Sequence, residues 1–234
     1  MAEISAALVK ALRDQTNVGM MECKKALVEA EGDQTAALQI LRERGLATAA
    51  KKASRAAAQG LIAAEVYDEG RSGVMIEVNC ETDFVARNEV FQAFVQDLLA
   101  KARTVEGDFG AAVKDEVVAK IAEIGENIVA RRCVRFDVQD TGLIASYIHL
   151  GSKVGVLLEV GCGKEETRSA PAFAELAKDL TLHLAASNPP YLDREAVPDE
   201  VVQSERAIYA KQVENKPALI IDKIVDGKMN KFYS

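Results

Sequence analysis

The residue types that carry covalent chemistry are few in this chain and poorly spaced for it. The two histidines, His149 and His183, lie far apart, and neither belongs to a local Ser-His-Asp or Cys-His pattern. Cys23, Cys80, Cys133 and Cys162 are scattered with no C-x-x-C pair, which fits a reduced cytoplasm better than a disulfide framework or a zinc site. No G-x-x-x-x-G-K-[ST] loop is present, so the chain does not read as a nucleotide hydrolase. One acid–base pairing stays open, Asp83 with His149, and it requires a pocket that encloses both. Contact chemistry has a clearer candidate. In Asn79-Cys80-Glu81-Thr82-Asp83-Phe84-Val85-Ala86-Arg87-Asn88 an aromatic ring follows a carboxylate directly. Such a Phe, in a polar connection, is either tucked into its own core or offered to a partner.

The flanking sequence says what presents this stretch. Val74-Met75-Ile76-Glu77-Val78 is rich in β-branched residues and follows Gly73, which predicts a strand. Val90, Phe91, Phe94, Val95, Leu98, Leu99 and Ala102 recur at three- and four-residue steps, which predicts a helix. Phe84 thus falls in a strand-to-helix connection, where a scaffold can display side chains. The strand belongs to a repeat. Gly60-Leu61-Ile62-Ala63 returns as Gly142-Leu143-Ile144-Ala145, and the run from Gly73 to Cys80 returns from Gly155 to Cys162, both at an offset of 82 residues. Each copy reads as strand, turn, strand, helix, with helices over 89–104 and 172–186. The second helix carries Phe173, Leu176, Leu180 and Leu184 on one stripe. Short turns between strands, with helices following them, indicate an α+β fold with antiparallel sheets related by a pseudo-two-fold axis. The first copy continues with a helix near 111–125 and a strand from Ile128 to Val138. The second copy has Gly163-Lys164-Glu165-Glu166 where the first has Glu81-Thr82-Asp83-Phe84. A ring needed only to pack the repeated fold would be kept in both copies, so its absence favours the exposed reading of Phe84.

Around this core the ends read as helical. Residues 1–46 form three short helices: Ile4, Leu8 and Leu12 on the first, Met20 to Leu27 on the second, Ala37, Leu38 and Leu41 on the third. Gly32 stops the second, Asp33 caps the third and Gly45 ends it. Residues 47–59 are Ala-rich and basic and read as a partly helical linker. His183 reads as a packing residue. Past Asn188-Pro189-Pro190, Asp199 caps a helix to Asn215, Lys216-Pro217 turns the chain, and a last helix runs to Phe232. Val202, Ile208 and Tyr209 on one helix face Leu219, Ile220, Ile224 and Met229 on the other. The 234 residues suggest one or two domains, and the net charge of −7 argues against a general nucleic-acid binder. Lys24-Lys25 and Lys51-Lys52 are local basic patches or solvated faces. No apolar run approaches the ~20 residues of a membrane span, and no secretory signal is visible.

Thr82-Asp83-Phe84-Val85-Ala86 resembles the TDFVA signature of the bacterial elongation factor Ts family. Other motifs agree in order. Leu12 through Leu27 resembles the family's L-R-x-x-T-x-x-G-M-M-x-C-K-K-A-L pattern, Ile124-Gly125-Glu126-Asn127-Ile128 its IGENI run, and His183-Leu184-Ala185-Ala186 its HVAA run with Leu for Val. The resemblance implies a ubiquitin-associated-like (UBA-like) three-helix domain over 1–46, a linker over 47–59, a duplicated core over 60–140 and 141–234, and a protruding antiparallel helical hairpin at 199–232. It implies a guanine-nucleotide exchange factor for elongation factor Tu that does no covalent chemistry. No cofactor, metal, membrane or direct nucleic-acid contact is expected, and the expected location is cytoplasmic. Thr82, Asp83, Phe84 and Val85 would dislodge Mg²⁺ from the partner. Arg13, Met20, Met21 and Lys24 would contact its GTPase domain, and His149 its phosphate-binding loop. The hairpin would touch the partner elsewhere. The other reading is a UBA-like adaptor without exchange activity. The family's longer members add a further strand and a C-terminal helix, without which the second sheet is a strand short and keeps an unpaired edge.

Overall fold

The computed structural model describes residues 4–215 and 217–233. The chain divides into two compact units, Met1–Ala186 and Ser187–Ser234.

The first unit opens with helices α1 (Ala6–Thr16), α2 (Met20–Glu29) and α3 (Gln34–Lys52). Ser5 caps α1 by accepting from the Leu8 amide, and Asp33 caps α3 by accepting from Thr35 and Ala36. Their shared core is Val9, Leu12, Cys23, Ala26, Leu27, Ala37 and Leu41. Gly45 does not end α3, contrary to the sequence expectation. The helix runs on to Lys52 and takes in much of the Ala-rich stretch, because it packs on α7 (Lys114–Ile124). A Cβ at Gly45 would sit 3.6 Å from Val118 and 3.7 Å from Ala122, so the glycine serves a close helix–helix approach rather than a stop.

Strands β1 (Gln59–Tyr67), β2 (Ser72–Cys80) and β3 (Ile128–Asp137) form one antiparallel sheet in the order β1-β2-β3. A bulge between Glu77 and Val78 gives β3 one extra residue, so the consecutive Arg131 and Arg132 both reach Glu77, at 3.0 and 2.6 Å. Val74, Ile76, Val78 and Cys80 of β2 pack with Phe91, Phe94, Val95, Leu98 and Leu99 of α5 (Glu89–Ala102). The core is completed by Phe109 of α6 (Phe109–Ala112), with Val113, Ile121 and Ile128. The short helix α4 (Asp83–Ala86) links β2 to α5.

The second copy supplies β4 (Gly142–His149) and β5 (Val154–Gly161), a two-stranded antiparallel sheet, then α8 (Glu165–Arg168) and α9 (Pro171–Ser187). The two sheets meet at glycines 82 residues apart. A Cβ on Gly73 would lie 2.7 Å from Ile144 and 3.1 Å from Leu157; a Cβ on Gly155 would lie 2.6 Å from Ile62 and 3.1 Å from Met75. Ile62 and Ile144, like Met75 and Leu157, are themselves separated by the repeat offset of 82. This reciprocity of contacts is the mark of a pseudo-two-fold axis, and the fold is α+β. Two readings of α9 need correction. Its buried face is Phe173, Ala177 and Thr181, whereas Leu176 and Leu180 are exposed, and His183 is exposed. Among the described residues of this unit the second copy has no counterpart of α6, α7 and β3, so the leucine stripe is not covered as Phe94 and Leu98 are in the first.

In the other unit, α10 (Asp199–Lys211) and α11 (Ala218–Phe232) form a helical pair. Asp199 is the first helical residue rather than the cap, which is Pro198, and α10 stops at Lys211, short of Asn215. Val225 and Met229 are buried, Arg206 pairs with Asp226 at 2.8 Å, and the Lys228 ammonium lies over the Tyr209 ring. Ile208 and Ile220 are exposed. Lys216 and the Leu219 side chain lie outside the described residues. Among the described residues no helix is long and apolar enough to cross a membrane.

Candidate functional site

The stretch from Thr82 to Val85 folds as a single capped helical turn. Thr82 is extended (φ −120°, ψ 155°), and its hydroxyl accepts from the Val85 amide at 3.3 Å. The turn ends at Arg87, and Asn88 starts α5 by accepting from the Val90 amide at 2.8 Å. Ala86 is buried and Val85 half-buried against the main core, which anchors one side of the turn. The Phe84 ring is directed the other way and is 82% exposed. A bulky aromatic gains nothing from burial in that position, so its own fold does not account for it. Asp83 lies in the first turn, where a carboxylate is favoured by the helix dipole, and pairs with Arg87 at 3.1 Å.

Polar groups fix the base of this turn. Glu126, between α7 and β3, accepts from the Glu81 amide (3.1 Å), the Thr82 amide (3.0 Å) and the Thr82 hydroxyl (2.7 Å). Glu81 in return accepts from the Asn127 amide at 2.6 Å. Cys80 donates its thiol hydrogen to the Thr82 carbonyl at 3.2 Å. Burial first, and then the nearby Glu126 carboxylate, push that thiol up to about 11, which keeps it a neutral donor at neutral pH.

The turn borders an open groove of about 920 Å³, lined among others by Gln59, Leu61, Phe84, Arg87, Leu150 and Lys153. Leu150 comes from the β4–β5 turn, which Lys153 ties down through its ammonium to the Gln59 side chain and the Gly60 carbonyl, each at 3.0 Å. Leu150 is 66% exposed with φ +51°, an unusual conformation for a branched side chain. Sequence reasoning passed over Leu150; the signal for it was an apolar residue before Gly151 at a hairpin tip. His149 ends β4 beside this turn, exposed, with Nδ1 2.6 Å from the Tyr147 hydroxyl. It does not line the groove. Asp83 and His149 each have a different partner, so they are not assembled as an acid–base pair.

The remaining candidates lie in the three-helix part. Arg13, in the last turn of α1, and Lys24 are exposed, and Met20 and Met21 are 52% and 64% exposed, so the methionines are not core filling. Met21 and Lys24 share a shallow depression of about 440 Å³ with Lys25, Val28, Glu29 and Arg44; Arg13 and Met20 do not line it. Val28, half-exposed, was not singled out from the sequence. Among the described residues no group of three or more His, Cys, Asp or Glu could hold a metal ion.

Comparison with known proteins places the chain in a family. The family model described as elongation factor TS matches residues 81–234. Elongation factor Ts of Nautilia profundicola is 46% identical over 246 residues, covering 100% of this chain and 80% of that protein. Elongation factor Ts of Clostridium botulinum strain Alaska E43 is 46% identical over 244 residues, covering 98% and 78%. That of a Nitratiruptor species is 44% identical over 241 residues. With whole-chain similarity at this level, and with the signature turn folded as a presented helix, the chain belongs to the elongation factor Ts family of translation elongation factors.

Proposed function

We infer that this chain is the guanine-nucleotide exchange factor of elongation factor Tu and releases GDP by dislodging Mg²⁺ from the partner's nucleotide site. The observation that carries the reading is the Phe84 ring, 82% exposed on a capped turn in the one copy of the repeat that has it. Phe84 acts as an apolar wedge between elements of the partner's GTPase domain and displaces the helix that supports Mg²⁺. Asp83 supplies acceptors that hold the displaced arrangement, and Thr82 and Val85 set the geometry of the turn. Mg²⁺ neutralises phosphate charge, so its loss weakens GDP. His149, beside the Leu150 turn, approaches the phosphate-binding loop. Arg13, Met20, Met21 and Lys24 give binding area on the GTPase domain, with thioethers suited to an adaptable surface. The α10–α11 pair gives a second contact. The chain makes and breaks no covalent bond, and its setting is the cytoplasm.

Exchange by this route is differential binding. Each tenfold loss of GDP affinity requires about 1.4 kcal/mol of contact made only when GDP and Mg²⁺ are gone. The test is the release of a fluorescent GDP analogue from elongation factor Tu, followed by stopped flow with and without this chain. Release accelerated in proportion to added chain and then saturating is the expected result. Tight binding with no acceleration would make the chain an adaptor instead.

A further inference from the structure

A four-residue helix has too few internal hydrogen bonds to hold itself together in water. The ring it carries is exposed, so packing does not fix the ring either. A wedge that must push on another protein needs a stiff base, or the turn will yield before the partner does. Stiffness here comes from outside the turn. The Glu126 carboxylate takes three hydrogen bonds from Glu81 and Thr82, at 3.1, 3.0 and 2.7 Å. Bonds to an ionised acceptor are the stronger kind. Because the Thr82 hydroxyl donates to Glu126, its lone pairs are left aimed at the Val85 amide, so one carboxylate sets both the backbone and the cap. Glu81 closes the loop on the Asn127 amide at 2.6 Å, and Asn127, itself buried, donates to the Arg55 carbonyl at 2.8 Å.

The second copy serves as an internal control. Cys162 donates to the Lys164 carbonyl at 3.5 Å, as Cys80 does to Thr82, so the thiol bond belongs to the repeated fold. At the offset of 82, however, Glu81 becomes Gly163 and Thr82 becomes Lys164, which makes no side-chain cap. The turn α8 forms all the same. That turn is held from outside by Arg168, which donates to the Gly142 and Glu69 carbonyls at 3.0 Å each; the carboxylate clamp on Thr82 occurs only in the copy that carries Phe84.

We propose that Glu126 is a positioning residue for exchange, stiffening the Thr82–Val85 turn so that Phe84 can transmit force to the partner. This rests on the exchange reading above. Glu126 itself need not touch the partner, so its loss should reach the release step rather than complex formation.

The test uses the full chain with Glu126→Ala and Glu126→Gln. The Gln variant keeps the size and one acceptor oxygen but turns an NH₂ toward backbone donors, and it carries the test should the Ala variant fold poorly. Two readouts are taken: amide hydrogen exchange of the free chain by NMR, and release of fluorescent GDP from elongation factor Tu at saturating chain. Faster exchange at the Thr82 and Val85 amides is expected. Release at saturation should fall at least about tenfold, with the half-saturating concentration changed less than about threefold. In a Phe84→Ala background the Glu126 change should add nothing, since both act through one ring. Wild-type release by Glu126→Gln, beside slowed release by Phe84→Ala, would overturn the proposal, as would losses that multiply. If Phe84→Ala releases GDP at the wild-type rate, the exchange reading fails, and the positioning role fails with it; amide protection then tells whether the clamp stiffens the turn at all.

Discussion

Phe84 is the residue whose placement most needs a reason outside its own fold. Its ring is 82% exposed, so Phe84→Ala should leave folding stability within about 0.5 kcal/mol of wild type, measured by urea unfolding. A loss of 2 kcal/mol or more would mean that the ring packs at home. Cys80 gives the opposite case, a buried group whose chemistry serves the fold. Its thiol value, about 11, lies above the ordinary 9.0. Ionisation is therefore harder in the folded chain than in the unfolded one. The stability this represents is complete below pH 9 and is lost as the pH climbs toward 11. Iodoacetamide labelling of native Cys80 should stay slow until the pH nears 11; rapid modification at pH 8 would contradict the bonding described for it. The exposure of Phe84 was legible in the sequence because the repeat supplied a comparison: Glu166 stands where Phe84 does, so the ring is not part of the shared packing. The clamp by Glu126 was not legible. It joins residues about 45 positions apart, and no local pattern announces a carboxylate that folds back on a distant turn.

Elements show the same division between local and distant causes. The strands β1, β2, β4 and β5 were readable because β-branched runs between glycines repeat at one offset. The cap by Asp33 follows from local chemistry, as do the breaks at Gly32 and Pro189-Pro190. The α3 terminus was misjudged because Gly45, by propensity a stop, is held helical by its contact with Val118 and Ala122 of α7. The α9 stripe was misjudged because periodicity reports which residues share a face, not whether anything covers it. Leu176 and Leu180 share a face and are exposed. Gly73 and Gly155 test the sheet stacking that builds the core. Gly73→Ala sets a methyl 2.7 Å from Ile144, and should cost about 1–3 kcal/mol by overpacking. Combining it with Ile144→Ala should cost less than the two changes summed, because the cavity of one accepts the methyl of the other. Additive losses in urea unfolding would deny that the two sheets meet at this glycine.

At the scale of the whole molecule, the three N-terminal helices and the repeat make up one unit and the helical pair α10–α11 lies in another. Residues 188–198 between α9 and α10 contain no helix or strand, and Leu192 within them is 91% exposed. Chymotrypsin should therefore cut first at Leu192, giving two fragments by mass spectrometry; first cuts within the sheets would contradict the division. The division also bears on mechanism. In the function proposed above, area for binding is spread over the three helices, the β4–β5 turn and the helical pair, whereas the switch is a single turn. Linkage then requires that whatever this chain does to GDP affinity, GDP does equally to the affinity of this chain for its partner. The most direct measurement compares wild type with the Asp83→Ala, Phe84→Ala double variant in fluorescent GDP release from elongation factor Tu at saturating chain. The account predicts a complex of nearly unchanged affinity in the absence of nucleotide, with release slowed at least about tenfold. Release by the double variant at the wild-type rate would contradict it.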